Sequence, residues 1–194
     1  MLIETPPPFR NDDLLFDFAR QPWQLRQYTD LRRRIFCTEQ RIFSTTDRDE
    51  IDRNALPIVA VSNCMGMPDR VVGVVRIDER EPGLWFGSRL GVADTYRQKA
   101  RFTIQGLFDA DNAPDLFKTS VGAALIFKAV STATALGCRR FLANVQMQNV
   151  SFFERMQWTT LHTVELHGMT HARMEASLRY YPPSQVSLAQ LKQG

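Results

Sequence analysis

Three neighbouring runs of apolar, largely β-branched residues constrain the fold of this 194-residue chain more than any other feature. They are Leu56–Ser62, Val71–Ile77 and Leu84–Val92, and turn-forming residues separate them at Gly66–Asp69 and at Pro82–Gly83. Short β-branched runs interrupted by Gly and Pro are typical of strands joined by tight turns. The sequence therefore predicts an antiparallel meander in the middle of the chain.

Helix and strand patterns surround this meander. An apolar run at Leu14–Ala19 predicts a first strand, and apolar residues at helical spacing predict a helix from Trp23 to about Gln40. After the meander, the alanine-rich segment Ser120–Leu136 predicts a helix that ends at Gly137, because glycine commonly terminates helices.

The C-terminal part predicts a further helix and three more strands. The strands are Arg140–Val145, Trp158–Leu166 and His171–Leu178, the helix is Asn149–Gln157, and Gly168 marks a turn. A strand–helix–strand unit implies one parallel crossover, near 120–145. The predicted fold class is α+β (mixed α/β), a single domain with a central, mostly antiparallel sheet of about seven strands flanked by helices.

The domain limits follow from local composition. Proline-rich Met1–Asp13 predicts a flexible N-terminal lead, residues 14–183 the domain, and residues 184–194 a C-terminal tail. Polar, acidic Ser44–Arg53 predicts a loop. Gln98–Thr119 is an insertion too apolar for a solvated linker, and we expect a short helix or a lid over the mouth of a site.

Composition excludes several classes of function. Lys and Arg number 24 against 21 Asp and Glu, and the resulting charge of +3 is too small to indicate a nucleic-acid partner. The most apolar stretch, Val121–Val130, is interrupted by Lys128 and is too short to span a membrane. With no visible signal peptide, the expected location is cytoplasmic, with no membrane partner.

Cysteine spacing and arginine spacing each have a plain interpretation. Cys37, Cys64 and Cys138 form no Cys-x-x-Cys pair, so neither a disulfide framework nor a metal site is expected.

Arg32, Arg33 and Arg34 fall between the apolar positions of the first predicted helix. We interpret them as a solvated helix face.

The passage Thr119–Leu125 is the strongest chemical signal in the sequence. It opens the alanine-rich helix with small residues at Gly122, Ala123 and Ala124, and Ser120 or Thr119 can cap it. The first turn of a helix has unpaired N–H groups and a positive dipole end, so it can hold a phosphate. Small residues there equally allow tight helix–sheet packing. The passage has neither a P-loop nor a Rossmann glycine pattern.

In this order of elements the sequence resembles the GNAT superfamily of acyl-CoA-dependent N-acyltransferases, over roughly Leu14 to Pro183. The segments that carry the resemblance are Gly87-Ser88-Arg89-Leu90-Gly91-Val92, Tyr96-Arg97, Val121-Gly122-Ala123-Ala124-Leu125 and Asn149-Val150-Ser151-Phe152-Phe153-Glu154-Arg155-Met156-Gln157-Trp158.

A narrower resemblance is to a bacterial subgroup of this superfamily that is encoded beside nitrilases. It is carried by Leu31-Arg32-Arg33-Arg34-Ile35-Phe36-Cys37-Thr38-Glu39-Gln40, Val145-Gln146-Met147-Gln148-Asn149, His171, Met174 and Tyr181-Pro182-Pro183.

The resemblance implies a geometry for the co-substrate, acetyl-CoA. The strand ending at Val92 and the strand Arg140–Val145 would start side by side and then diverge, exposing unpaired backbone groups at Leu90 and Val92 to the pantetheine arm. The amides of Val121, Gly122, Ala123 and Ala124 would hold the pyrophosphate, with Arg97 as a nearby cation. Asn149 would orient CoA or cap its own helix, and capping is the stronger interpretation.

Three departures from the family pattern accompany the resemblance. In the family the arginine-rich loop runs almost directly into the glycine turn, whereas here Gln98–Thr119 separates Arg97 from that turn. Thr119 stands where the family usually has Gln or Arg. Phe153 stands where the family often has a tyrosine that protonates the leaving thiolate.

Direct acyl transfer to an amine needs a group that removes a proton from the amine. The candidates are Glu39, Glu154, His162 and His171. We select Glu39, because the end of the first helix flanks the acceptor cleft in the resembled fold, and His171, on a late strand. A pair of Cys138 with His171 is a further alternative, although nothing marks Cys138 as activated.

Three functions are therefore weighed. The first is an N-acetyltransferase that moves an acetyl or short acyl group from acetyl-CoA to a small amine acceptor, with a homodimer left open. The second is a relative of acyl-homoserine-lactone synthases that takes its acyl chain from acyl carrier protein. The third is a non-catalytic acyl-CoA sensor.

The second function follows from a resemblance in three short segments. These are Arg34-Ile35-Phe36, Asp49-Glu50-Ile51-Asp52 and Ser88-Arg89-Leu90. A carrier protein would need a basic docking patch, for which Arg32–Arg34 and Arg139-Arg140 are the candidates.

Overall fold

A computed structural model describes residues 13–97, 103–105 and 120–184 of the protein. Its strands are β1 (Asp13–Phe18), β2 (Leu56–Cys64), β3 (Met67–Glu81), β4 (Leu84–Val92), β5 (Thr103–Gln105), β6 (Arg140–Gln146), β7 (Trp158–Leu166) and β8 (Met169–Ala176). They form one sheet in the order β5-β1-β2-β3-β4-β6-β8-β7. Within the described ranges, the β1–β5 and β4–β6 pairs are parallel and the others antiparallel, which confirms the predicted fold class.

Three α-helices flank the sheet in the described part of the chain. They are α1 (Pro22–Arg33), α2 (Val121–Ala135) and α3 (Val150–Arg155). Proline in the first turn of α1 lacks an N–H that would otherwise be unpaired, and Gln24 accepts the Gln21 amide at 3.0 Å. Ser120 caps α2 by accepting the Ala123 amide at 3.1 Å, and Gly137 follows the helix at φ +89°.

The predicted first helix is confirmed in extent but changes geometry halfway. The α-helical part ends at Arg33, and Arg34–Glu39 continues as a π-helix. A π-helical turn widens the backbone and is frequent at functional sites. It brings the residues after Phe36 over the sheet, where they contribute to the site described below.

The two faces of the sheet carry different helices. One apolar core joins α2 and α3 to Phe16, Val75, Phe141 and other strand residues. A smaller core joins Leu31 of α1 and Ile35 of the π-helix to the opposite face. The contact with α2 is close, because a Cβ added at Gly73 in β3 would lie 2.8 Å from Leu125 Cδ1.

Other predicted segments have mixed outcomes. Within the predicted insertion, 103–105 forms β5 at the sheet edge, beside β1. The rest of the insertion, and with it the predicted lid, lies outside the described residues, as do residues 1–12 of the lead and 185–194 of the tail. Asp13 belongs to β1 rather than to the lead.

The interpretation of the triple arginine is wrong for one of its members. Arg32 is 2% exposed, because it turns inward from α1 and binds Asp47 and Asp52. Arg33 and Arg34 are exposed as expected.

No helix in the described ranges is long and apolar enough to cross a membrane. The side chains described there likewise form no group of three or more residues that could hold a metal ion.

Candidate functional site

Strands β4 and β6 are paired at one end and separated at the other. Their parallel pairing runs from Leu84 opposite Arg140 to Gly87 opposite Ala143. Beyond Gly87, β4 continues to Val92 against β3 alone, and β6 continues to Gln146 against β8 alone. The predicted divergence of these two strands is therefore present, and we call the opening the β4–β6 gap.

A bulge in β4 lies at the start of this gap. Ser88 faces Arg76 of β3 and Gly91 faces Val74, so β4 has one residue more than β3 between the two pairs. Arg89 lies within the bulge at φ +55°, a left-handed conformation that is costly for a residue with a side chain. Bulges redirect side chains and are enriched next to functional sites.

Ion pairs and hydrogen bonds fix the position of the Arg89 side chain. Its Nε lies 3.0 Å from Asp47 Oδ2, and its Nη2 donates to the Asp47 carbonyl at 2.8 Å and to Asp49 Oδ2 at 3.1 Å. The guanidinium lies over the ring of Phe43, with Cζ of Arg89 4.6 Å from the ring centroid. The charge of Arg89 is thus neutralised within the protein.

Two further arginines extend these contacts into an ionic network. Arg76 donates to both oxygens of Asp49 at 2.6 and 2.7 Å and to Ser88 Oγ at 2.8 Å. Arg32 donates to Asp47 at 2.7 Å and to Asp52 at 2.5 Å. The network, defined as Arg32, Asp47, Asp49, Asp52, Arg76 and Arg89, ties the loop after α1 to β3 and β4.

The network also shifts the pKa values of its carboxylates. Burial alone would raise the pKa of Asp52, but hydrogen bonds from Arg32 and Arg76 outweigh it and hold that pKa well below its ordinary value. The pKa of Asp49 is lowered in the same way, with Arg76 outweighing burial. Both groups are therefore ionised at neutral pH and serve the structure as fixed charges.

One cavity of about 200 Å³ passes through the β4–β6 gap and has walls on both faces of the sheet. The wall on the α1 face combines polar side chains with the rings of Phe36, Phe43 and Phe86. Its polar members are Gln40, Ser88, Arg89, Asn144, Gln146 and His171. The wall on the α2 face is apolar and includes Leu90, Ile126, Ala129, Val130, Phe141 and Phe153. A polar and an apolar compartment thus meet where the two strands separate.

Peptide groups of β4 point into the gap. The Ala93 amide donates to the Val72 carbonyl of β3 at 2.8 Å, and the direction of peptide groups alternates along a strand. The peptide group of Val92, which lies outside the bulge, therefore faces away from β3. The Val92 carbonyl accepts a hydrogen bond from Arg97 Nε at 2.7 Å.

Arg97 and Glu39 form an ion pair at this end of β4. The predicted cation and one of the two predicted bases are therefore neighbours, and Glu39 is not among the residues that line the cavity. Both side chains are partly exposed, at 44% and 31%. The pair lies where β4 ends.

The first turn of α2 lies next to Val92. A Cβ added at Gly122 would be 3.8 Å from Val92 Cγ2 and 3.9 Å from Phe152 Cζ, an ordinary contact distance, so tight packing does not require glycine here. Among the described residues, the amides of Val121 and Gly122 have no hydrogen-bond partner. Ala123 and Ala124 donate to Ser120, and their side chains are buried in the core.

The other predicted site residues fall into two groups. His171 is 7% exposed, lines the cavity, and its Nδ1–H donates to the Met169 carbonyl at 2.9 Å. Asn149 lines the cavity and precedes α3, but its side chain makes no capping hydrogen bond, so the preference for capping is wrong. His162 and Glu154 are exposed and lie outside the cavity wall.

The alternative pair of Cys138 and His171 is excluded by position. Cys138 precedes the first residue of β6, whereas His171 pairs with Gln146, the last one. Seven strand residues separate the two sites by about 20 Å. Burial raises the pKa of the Cys138 thiol to about 11, so it stays protonated at neutral pH.

Phe153 and Tyr181 have structural roles in the apolar core. Phe153 packs edge-on against Trp158, with ring centroids 5.1 Å apart, and forms part of the apolar wall. Tyr181 accepts from Trp158 Nε1 at 2.9 Å and donates to the Met156 carbonyl. Burial raises the pKa of Tyr181 well above its ordinary value, so its hydroxyl remains protonated.

Sequence reasoning missed the ionic network and part of the polar wall. Arg76 and Asp47 of the network and Asn144 and Gln146 of the wall were not selected, although Arg76 interrupts the apolar run Val71–Ile77. A charged residue inside a buried strand needs a partner, and that requirement is a usable signal.

Comparisons with solved structures identify the fold. An acyl-CoA N-acyltransferase from Pseudomonas aeruginosa has a TM-score of 0.60 at 14% identity, over 85% of this chain and 99% of that one. Escherichia coli ElaA has a TM-score of 0.64 at 18% identity, over 84% and 99%. No family model and no curated protein matches the sequence.

A third structure is relevant to the alternative function. The CoA-dependent acyl-homoserine lactone synthase BjaI, with SAM and isopentyl-CoA, has a TM-score of 0.58 at 15% identity, over 87% of this chain and 85% of that chain. Together with the β4–β6 gap, these likenesses show that this chain has the GNAT fold. The narrower resemblance to the nitrilase-associated subgroup stays a prediction.

Proposed function

We propose that this protein is an acyltransferase that moves an acetyl or short acyl group from a CoA thioester directly to the amine of a small-molecule acceptor. The observation that carries the proposal is the β4–β6 gap, where pairing of the two strands ends at Gly87 and Ala143, the Val92 amide faces away from β3, and the first turn of α2 lies alongside. A buried peptide group without a partner is costly, and the amides of a pantetheine chain are suitable partners. The cytoplasm remains the expected location.

The residues at the gap fit such a co-substrate. The peptide groups of Leu90 and Val92 would pair with pantetheine, and the free amides of Val121 and Gly122 would hold a phosphate near Arg97. An N–H of Leu90 would also stabilise the oxyanion that forms on the thioester carbonyl. Asn149, at the cavity wall, would orient the CoA chain.

The polar compartment would hold the acceptor, and His171 in its wall would accept the proton that the acceptor amine loses. Because His171 Nδ1–H donates to a carbonyl, Nε2 carries the lone pair and can accept a proton. The amine nitrogen would bond to the carbonyl carbon, the carbon–sulfur bond would break, and the thiolate would leave as CoA. Glu39 is bound to Arg97 and would position that cation, while its role as a base stays a prediction.

Calorimetric titration with CoA and acetyl-CoA tests the proposal. Gly122→Glu places a carboxylate against the expected pyrophosphate and should weaken binding at least tenfold, which is about 1.4 kcal/mol. Gly122→Ala is the matched control, because its Cβ has room and it adds no charge. Absence of binding by the parent protein, or equal affinity of all three, would contradict the proposal.

Release of free thiol with a panel of amines then separates an enzyme from a sensor. A catalytic protein releases CoA in proportion to the acceptor. If acyl-CoA binds tightly and no amine in the panel releases thiol, the sensor function is the better account.

A second candidate function is an activity like that of acyl-homoserine-lactone synthases. The three short segments that suggested it converge in the structure: Asp49 and Ser88 both bind Arg76, Asp49 also binds Arg89, and Phe36 lies under Arg89. A higher rate with acyl carrier protein than with acyl-CoA would favour it. Because Arg32 is buried, the basic surface left for docking a carrier is exposed Arg33 and Arg34, or Arg139-Arg140, of which Arg140 is paired with Glu175.

A further inference from the structure

Transfer of an acetyl group uses the β4–β6 gap and the polar compartment, and leaves the apolar half of the cavity without a role. It lies on the α2 face, behind the β4–β6 gap, between α2, α3 and strands β4 and β6. Its walls include Leu90, Ile126, Ala129, Val130, Phe141 and Phe153. We call this part of the cavity the apolar chamber.

The chemistry of the chamber restricts what it can hold. The six side chains named above carry no polar atom, and Nε1 of Trp158, which also lines the cavity, donates to Tyr181 Oη at 2.9 Å. A polar group placed there would lose its hydrogen bonds to water and find no replacement from side chains, which is costly. The chamber therefore suits a hydrocarbon group.

The position of the chamber identifies which hydrocarbon group this is. The chamber adjoins Leu90, which lies beside the gap where the thioester carbonyl would lie. In a CoA thioester, the apolar part attached to that carbonyl is the acyl chain. The polar acceptor compartment lies on the opposite face of the sheet, so the chain and the acceptor would approach the carbonyl from different sides.

We infer that the acyl group is a chain of about four to six carbons that extends from the β4–β6 gap into the apolar chamber. The inference rests on the proposed function and narrows its substrate class. A dry apolar cavity of about 150 Å³ accommodates benzene, which has six carbons. The whole cavity measures about 200 Å³, so on the same scale an apolar part of about half to three quarters of it has room for about four to six carbons.

Binding of a thioester series to the full chain tests the inference. Calorimetry compares CoA with its acetyl, butyryl, hexanoyl, octanoyl and dodecanoyl thioesters. Affinity should rise about fourfold per methylene, the equivalent of about 0.8 kcal/mol, until the chamber is full. A flat series, or a loss between acetyl and butyryl, would overturn the inference while leaving CoA binding intact. Absence of binding by CoA and by every thioester would overturn both proposals.

A pair of variants tests the location. Ile126→Ala enlarges the chamber and should move the preferred chain length upward by about two carbons. Ile58→Ala makes the same change at a buried core position that does not line the cavity, and should leave the preference unchanged. If Ile126→Ala does not fold, Ile126→Val should move the preference in the same direction by less. An unchanged preference in the folded position-126 variants would overturn the location.

Discussion

The junction between β4 and β6 is closed at one end and open at the other, although the same two strands form both ends. At the closed end, the amides of Arg139 and Arg140 donate to the Gly83 carbonyl, and pairing continues to Gly87 and Ala143. At the open end each strand is held by something else: β4 by β3 and the ionic network, and β6 by β8.

The difference shows what keeps a sheet open in its interior. Backbone groups pair wherever strands can approach, so a gap persists only where other contacts hold the strands apart. Here the bulge at Arg89 turns β4, and ion pairs from Asp47 and Asp49 fix it there. We therefore propose that a ligand binds at the open end and that the closed end has a structural role.

The largest expected effect is the loss of the network's central arginine. Arg76 is 1% exposed, and Arg76→Met leaves the carboxylates of Asp49 and Asp52 without their shared partner. We expect the free energy of unfolding in urea at pH 7 to fall by about 3–5 kcal/mol.

Arg33→Met is the control for this substitution, because Arg33 is 63% exposed and its pair with Asp30 lies in solvent. It should change stability little. A loss below about 1 kcal/mol for Arg76→Met, as for a surface pair, would show that the network does not hold the open end.

Two histidines on neighbouring strands allow the open end to be compared with an exposed surface by measuring catalytic rates. His171 pairs with Gln146 at the open end, whereas His162 is exposed on β7 opposite Arg173. His171→Gln should lower the amine-dependent rate of thiol release by about 10²–10⁴ with little change in CoA affinity, because a general base is lost. His162→Gln should leave the rate unchanged, and equal rates for both variants would remove His171 from the mechanism.

Acidic pH should lower the free energy of unfolding, because the ionic network at the open end depends on ionised carboxylates. The folded pKa of Asp52 lies below its ordinary value of 3.8, so its contribution to stability is complete above that pH and is lost as pH falls towards the folded pKa. Urea unfolding at a series of pH values should show stability falling below about pH 4. Asp52→Asn should be less stable at pH 7 and show a shallower decline, and an equally steep decline would assign the acid sensitivity to other groups.

The smallest effect concerns the closed end. Cys138 is buried there with a pKa of about 11, whereas Cys64 is exposed. Alkylation at pH 8, followed by mass spectrometry, should modify Cys138 at least about tenfold more slowly than Cys64. Saturating CoA should leave the Cys138 rate unchanged, and protection of Cys138 by CoA would place the ligand at the wrong end.

Much of the fold could be predicted because it depends on local patterns. The meander, α2 and its glycine terminus follow from periodicity and turn residues within each segment. The divergence of the two strands came from the family resemblance. Periodicity does not encode it, since it depends on how β4 bulges against β3.

The ionic network could not be predicted, because its members are far apart in sequence. Arg32 bonds to Asp47, 15 residues away, and Arg76 to Asp49, 27 residues away. A local pattern does not tell a solvated arginine from a buried one, and Arg32 was misassigned for that reason. For the same reason the sequence grouped Glu39 with His171, while the structure pairs Glu39 with Arg97.

Amide hydrogen exchange measured by NMR tests the central claim most directly. Saturation with CoA should slow exchange at the Leu90 and Val92 amides at least about tenfold, because pantetheine would pair with peptide groups that no strand occupies. Exchange at Trp85, in the closed part of the junction, should stay the same. Tight binding of CoA with unchanged exchange at Leu90 and Val92 would contradict the account and place the co-substrate outside the β4–β6 gap.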